Sequence, residues 1–254
     1  MFVTINGTKV HYEIEGSGEK KILLLHGWGG GKDSFRPLIL DLYTQYTFLV
    51  PEMPGHGESG EPPYPWSVTE YADTCEKLLE QTGFAGCGVI AHSFGARIAI
   101  LLASRRPELF GRMLLTGAAG LKDREPEKRS AKAQVFGVLK KAAESRLVPQ
   151  KLQDALHETA VKVFGSADYA AASPVMRSTL KLVIGQDLRD RLPAIHSPVF
   201  LFWGENDTAT PIWMAHVMEK EIPDAALTVV PGCDHFAYLQ RHEQFKAIAQ
   251  ALFG

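Results

Sequence analysis

Short apolar runs punctuate the chain at Lys21–Leu25, Thr47–Val50, Gly88–Ala91, Met113–Leu115, Val199–Trp203 and Leu227–Val230. Turn residues bound them, and polar positions do not interrupt them. Runs of this kind fit strands covered on both faces. Val10–Gly16 differs: it alternates apolar and polar residues, as a half-buried strand does, and follows a turn signal at Asn6-Gly7.

Helical patterns fill the intervals. Ser67-Val68-Thr69-Glu70 has the spacing of a capping box, which predicts a helix to Gln81 with Gly83 as its stop. Phe94–Ser104 reads as a buried helix that follows a strand directly. Pro211 suits the first turn of a helix through Glu221, and Phe236–Phe253 predicts a closing helix. Strands alternating with helices argue for an α/β fold with a mostly parallel sheet. Residues 121–185 break the alternation, with helical segments and no convincing strand. That stretch reads as a helical insertion into a core made of residues 1–120 and 186–254. Its charge-dense start interleaves Asp123, Glu125 and Glu127 with basic residues, the pattern of a solvated face.

Composition narrows the classes. The chain has 254 residues, 45% hydrophobic and 22% charged, within the range of a globular domain. A net charge of -2 gives no positive field for nucleic acid. No apolar run approaches the roughly 20 residues that span a bilayer. Three cysteines without a C-x-x-C pair provide neither a disulfide framework nor a zinc ribbon, so the expectation is a reduced, cytoplasmic protein. The histidines show no His-x-x-x-His spacing, and neither G-x-G-x-x-G nor a P-loop is present; no metal or cofactor is expected.

The chemistry lies where the runs end. Ala91-His92-Ser93-Phe94-Gly95 stands between a strand and an Ala/Ile-rich helix, the setting in which small-x-Ser-x-Gly forms a nucleophile elbow. Small residues two positions either side of Ser93 let so tight a turn pass its neighbours. The plainer alternative is a serine that only caps the helix. After KILLL comes His26-Gly27-Trp28-Gly29-Gly30, a glycine-rich turn able to aim backbone N–H groups at a developing oxyanion. The amides of Trp28 and Phe94 are the candidate donors. Asp207 follows the run VFLF, and His235 follows LTVV. A serine hydroxyl needs an imidazole as base and a carboxylate to orient it, and Ser93, Asp207 and His235 provide all three. Asp234 and Glu205 are the weaker alternatives for the acid. His26 is expected to brace the glycine-rich turn, and His92 to pack or hydrogen-bond beside the elbow.

These motifs resemble the α/β-hydrolase superfamily over the whole chain. Met53-Pro54-Gly55-His56-Gly57-Glu58-Ser59 strengthens the likeness, matching the G-x-G-x-S turn after the fourth strand of many cap-bearing members. The resemblance implies an eight-stranded sheet flanked by helices, with a helical cap after the sixth strand. It also implies Ser93 as nucleophile, Asp207 as acid, His235 as base, and the Trp28 and Phe94 amides as the oxyanion hole. Haloalkane dehalogenases and epoxide hydrolases of this fold carry Asp at the elbow, whereas this chain has Ser. The Ser-Phe-Gly elbow is similar to that of carbon–carbon hydrolases acting on ring-cleavage products, but the Asp207 loop lacks their Arg. Hydrolysis of a small ester or acyl substrate therefore leads. Carbon–carbon cleavage, lactone opening, cofactor-free perhydrolysis and a non-catalytic receptor or scaffold are the alternatives. Phe136, Leu139, Phe164 and Met176 are the candidate substrate contacts from the cap.

Overall fold

The structure is a computed structural model that describes residues 1–122 and 172–254. Over those residues the strands are β1 (Phe2–Ile5), β2 (Thr8–Gly16), β3 (Lys20–Leu25), β4 (Tyr46–Glu52), β5 (Cys87–His92), β6 (Phe110–Thr116), β7 (Val199–Gly204) and β8 (Ala225–Val230). The helices are α1 (Arg36–Leu42), α2 (Val68–Thr82), α3 (Phe94–Arg105), α4 (Pro174–Gly185), α5 (Trp213–Glu221), α6 (Ala237–Gln240) and α7 (His242–Phe253). The strands form one sheet in the order β1-β2-β4-β3-β5-β6-β7-β8. The β1–β2 and β2–β4 pairs are antiparallel, and every other pair is parallel.

The uninterrupted apolar runs occupy the centre because both faces of the sheet are covered. On one face Leu23, Leu25, Val89, Ala91, Met113 and Leu115 pack with Leu78, Leu79, Ile98 and Leu102 of α2 and α3. On the other, Ile22, Leu24, Ile90, Leu114 and Phe202 pack with Leu38 of α1 and Phe245 of α7. Neighbours along one strand thus enter opposite cores, the period-2 geometry of a strand.

Local signals place the element ends. Ser67 Oγ accepts the Thr69 N–H, and Glu70 accepts the Ser67 N–H at 2.8 Å. Gly83 closes α2 in the left-handed conformation. Asn6 and Gly7 both take positive φ in the β1–β2 hairpin. Two expectations need correction. Helix α5 begins at Trp213 rather than at Pro211, because Pro211 sits in the turn before it and its carbonyl accepts the Met214 N–H. The closing helix is two helices: Arg241 at φ -124°, ψ 49° interrupts it between α6 and α7.

Of the expected cap, 121–122 and 172–185 are described, the latter carrying α4. Phe136, Leu139 and Phe164 lie outside the described residues. The two ends of this stretch meet, with Leu188 N–H donating to the Gly120 carbonyl at 2.7 Å and Lys122 N–H to Asp187 Oδ1 at 3.4 Å.

Candidate active site

Ser93 stands between β5 and α3 at φ 50°, ψ -108°, where side chains are rarely found. The turn is tied on both sides. Its N–H donates to Thr116 O at 3.2 Å, while its carbonyl accepts from Ala96 and Ala119 at 3.1 and 3.2 Å. A Cβ at Gly95 would lie 2.3 Å from Leu25 O, so the chain has room only for glycine there. Ala91 is fully buried, and its methyl group is accommodated.

Asp207 and His235 come from the loops after β7 and β8. Asp207 Oδ2 accepts the His235 Nδ1 proton at 2.8 Å, and the carboxylate is buried. Its other oxygen accepts the Ala209 and Thr210 amides at 2.9 and 2.8 Å, and Thr210 Oγ1 donates to Oδ2 at 2.7 Å. Burial pushes the Asp207 pKa up, but the hydrogen bonds from His235 and Thr210 outweigh it and hold the group below the ordinary carboxylate range. Asp234 and Glu205 are engaged elsewhere. Asp234 Oδ1 accepts the Phe236 N–H and Glu205 Oε2 the Gly232 N–H. Gly117, at φ 47°, lies against this pair. A Cβ on it would stand 3.0 Å from His235 Nδ1 and 3.2 Å from Asp207 Oδ2.

Ser93 and His235 wall one cavity of about 490 Å³, together with Gly27, Trp28, Gly29 and Gly30. No hydrogen bond joins the Ser93 hydroxyl to His235 in this conformation; the histidine is held from the Asp207 side. The Trp28 and Phe94 amides make no other hydrogen bond among the described residues. Their rings meet edge-on, with centroids 5.3 Å apart. Met176 of α4 is buried against Gly55 and lines a second cavity, of about 280 Å³, on the other side of Trp28. Leu180, one helical turn on, lines the first. The sequence singled out Met176 but not Leu180, although i to i+4 spacing puts both on one face.

Two buried histidines hold the walls. His26 Nδ1 donates to the Gly27 carbonyl at 2.7 Å, and its Nε2 accepts the Met53 N–H at 3.0 Å. These bonds settle its tautomer and tether the glycine-rich turn to the end of β4. Burial, with help from His56, lowers its pKa to about 3. His92 Nε2 donates to the His235 carbonyl at 3.1 Å, and burial, followed by the charge of His235, brings it also to about 3. Both imidazoles stay neutral at ordinary pH, the bracing and packing roles their positions suggested.

Glu52 at the end of β4 went unrecognised in the sequence. Buried, it accepts His11 Nδ1 at 3.0 Å, the Lys32 amide at 3.2 Å and the Glu58 amide at 2.8 Å. It thus joins the segment after the glycine-rich turn to the G-x-G-x-S turn. A Cβ on Gly31 or Gly57 would collide with its carboxylate, at 2.7 and 2.1 Å. Only its partners reveal it, and they lie far off in sequence. Among the described residues, two groups of side chains come close enough to share a cation, His11/Glu52/Glu58 and Asp41/His242/Glu243. A lysine already faces each, Lys32 on Glu58 and Lys246 on Asp41.

A family model described as alpha/beta hydrolase fold matches residues 20–242. The pimeloyl-[acyl-carrier protein] methyl ester esterase of Nitrosomonas europaea is 25% identical, covering 96% of this chain and 99% of its own. Among solved structures, an esterase from Exiguobacterium antarcticum superposes with a TM-score of 0.76 at 23% identity, covering 98% of this chain and 97% of its own. The enol-lactonase of Burkholderia xenovorans superposes with a TM-score of 0.75 at 20% identity, over 99% and 98%.

Proposed function

Because the chain belongs to the alpha/beta hydrolase fold family, we propose that it is a serine hydrolase that cleaves a small carboxylic ester or related acyl substrate at Ser93. One observation carries this reading: a buried carboxylate orients His235 in the wall of the cavity that holds Ser93. Asp207 Oδ2 takes the Nδ1 proton, which leaves Nε2 as the basic nitrogen. His235 Nε2 accepts the Ser93 proton as Oγ attacks the ester carbonyl. The Trp28 and Phe94 amides receive the oxyanion. His235 then protonates the departing alcohol, and a water molecule repeats the sequence on the acyl-enzyme. One such amide is commonly worth about 10²–10³ in rate.

The methyl ester esterase of Nitrosomonas europaea, at 25% identity over nearly the whole of both chains, supports an ester substrate. Carbon–carbon hydrolysis of an anionic dienoate would call for a cation in the pocket. No Lys or Arg lines it among the described residues. Three buried thiols, none paired, support a reducing compartment, and no helix among the described residues is long and apolar enough to cross a membrane. The free thiols alone support the cytoplasm as its compartment.

The test is hydrolysis of p-nitrophenyl butyrate together with labelling by a fluorophosphonate. Wild type is expected to turn over the ester and label at Ser93. Ser93→Ala should lose at least about 10³ of kcat/KM and all labelling. Full activity in Ser93→Ala would refute the assignment. A folded wild type that neither labels nor hydrolyses would point to a receptor or scaffold.

A further inference from the structure

Asp207 divides its hydrogen bonds between its two oxygens. Oδ1 takes the Ala209 and Thr210 amides at 2.9 and 2.8 Å, backbone bonds that shape the turn without help from a hydroxyl. Oδ2 takes two side chains, His235 Nδ1 at 2.8 Å and the Thr210 hydroxyl at 2.7 Å. Thr210 Oγ1 also stands 3.2 Å from His235 Nδ1. Its one proton lies on Oδ2, so its lone pairs are left for the Nδ1 proton. Carboxylate, hydroxyl and imidazole thus close a triangle.

The hydroxyl is fixed from behind. Thr210 is buried, and its carbonyl accepts the indole N–H of the fully buried Trp203 at 2.8 Å. Gly117, which also packs against Oδ2, gives it no donor, because its N–H goes to the Phe202 carbonyl at 3.3 Å. Among the described residues the donors onto Oδ2 are therefore His235 and Thr210. A buried acceptor that loses one of two donors is left partly unpaired.

His235 works at the far end of its ring from Asp207. Nε2 must take the Ser93 proton and later release it, while a single hydrogen bond at Nδ1 sets a distance and leaves the ring free to pivot about it. His92 packs against the ring, with centroids 4.6 Å apart. We infer that Thr210 is a positioning residue for the hydrolysis. Its hydroxyl fixes the Oδ2 atom that receives the Nδ1 proton and, as a second acceptor, limits the pivot of His235, so that Nε2 reaches Ser93 Oγ in both proton transfers. That role rests on the serine-hydrolase reading of Ser93, Asp207 and His235. It bears on the chemical step rather than on substrate affinity, because Thr210 stands behind the imidazole and is not part of the cavity wall.

Thr210→Val keeps the size of the side chain and the turn amide and removes the hydroxyl alone. On p-nitrophenyl butyrate its kcat is expected to fall about 10- to 100-fold, the worth of one hydrogen bond to a charged group, with KM within about 2-fold of wild type. Thr210→Ser restores the hydroxyl and should bring kcat back to within about 3-fold of wild type. In an Asp207→Asn background Thr210→Val should cost at most about 2-fold more, since residues that act as one unit are not additive. If the valine variant does not fold, Thr210→Ala must show the same loss. A hydroxyl-free variant that folds and keeps wild-type kcat would overturn the inference. So would a loss that serine does not recover, or one that persists in full beside Asp207→Asn. Any of these, with wild type still labelled by the fluorophosphonate and active, leaves the hydrolase reading standing. A wild type that neither labels nor hydrolyses would remove the two together.

Discussion

At the scale of single residues, the site depends on positions that tolerate almost no added atom. Gly117 faces the Asp207–His235 pair at a positive φ, and a Cβ there would crowd His235 Nδ1 at 3.0 Å. Gly117→Ala is expected to displace His235. Activity on p-nitrophenyl butyrate should fall by at least about 10-fold, since small misplacements cost this much in a preorganised site. Labelling by the fluorophosphonate should slow in parallel. Asp207→Asn removes the acceptor that fixes the His235 tautomer and should lower kcat by about 10³–10⁴ while leaving the fold intact by circular dichroism. Ser93, Asp207 and His235 were legible because each follows an apolar run, and strand ends in an open α/β sheet are where sites collect. Leu180 was not, because a leucine in a helical period has many uses and only the folded chain shows it in the cavity wall.

At the scale of elements, capping and turn chemistry were readable while long-range tethers were not. Ser67 and Glu70 form the box their spacing predicted, and Gly83 stops α2 where a left-handed residue is needed. Ser67→Ala should therefore destabilise the protein by about 1 kcal/mol in urea unfolding. The break at Arg241 escaped the reading because a helical period continues across it in the sequence. Glu52 is the larger omission. It holds two loop amides and His11 at once, and replacing it by Ala would leave those amides and a buried imidazole unpaired. A loss of about 3 kcal/mol is expected from Glu52→Ala. Glu52→Gln, which keeps an acceptor oxygen, should recover part of that stability in the same unfolding measurement.

At the scale of the whole molecule, the two buried histidines make stability depend on pH. In the folded protein His26 and His92 accept a proton only near pH 3. In the unfolded chain they do so at the ordinary value of about 6.5. Between these values the unfolded state binds more protons, so stability falls as pH is lowered from about 6.5 toward 3, and this contribution levels off below. Each histidine adds a slope of up to about 1.4 kcal/mol per pH unit. Thermal melts between pH 7 and pH 4 should show the decline, and His92→Gln should flatten it. A melting temperature independent of pH over that range in wild type would contradict these depressed values.

The pairing of Gly120 with Leu188, and of Lys122 with Asp187, carries a consequence for the ancestry of such a protein. The excursion between these residues departs from and returns to one spot on the sheet-and-helix core. Closing a loop at a single spot costs only about 0.6 kcal/mol more for each doubling of its length. The core is therefore nearly indifferent to how many residues intervene. Insertion, deletion or wholesale exchange at this junction can be tried in evolution, or at the bench, with Ser93, Asp207 and His235 left in register.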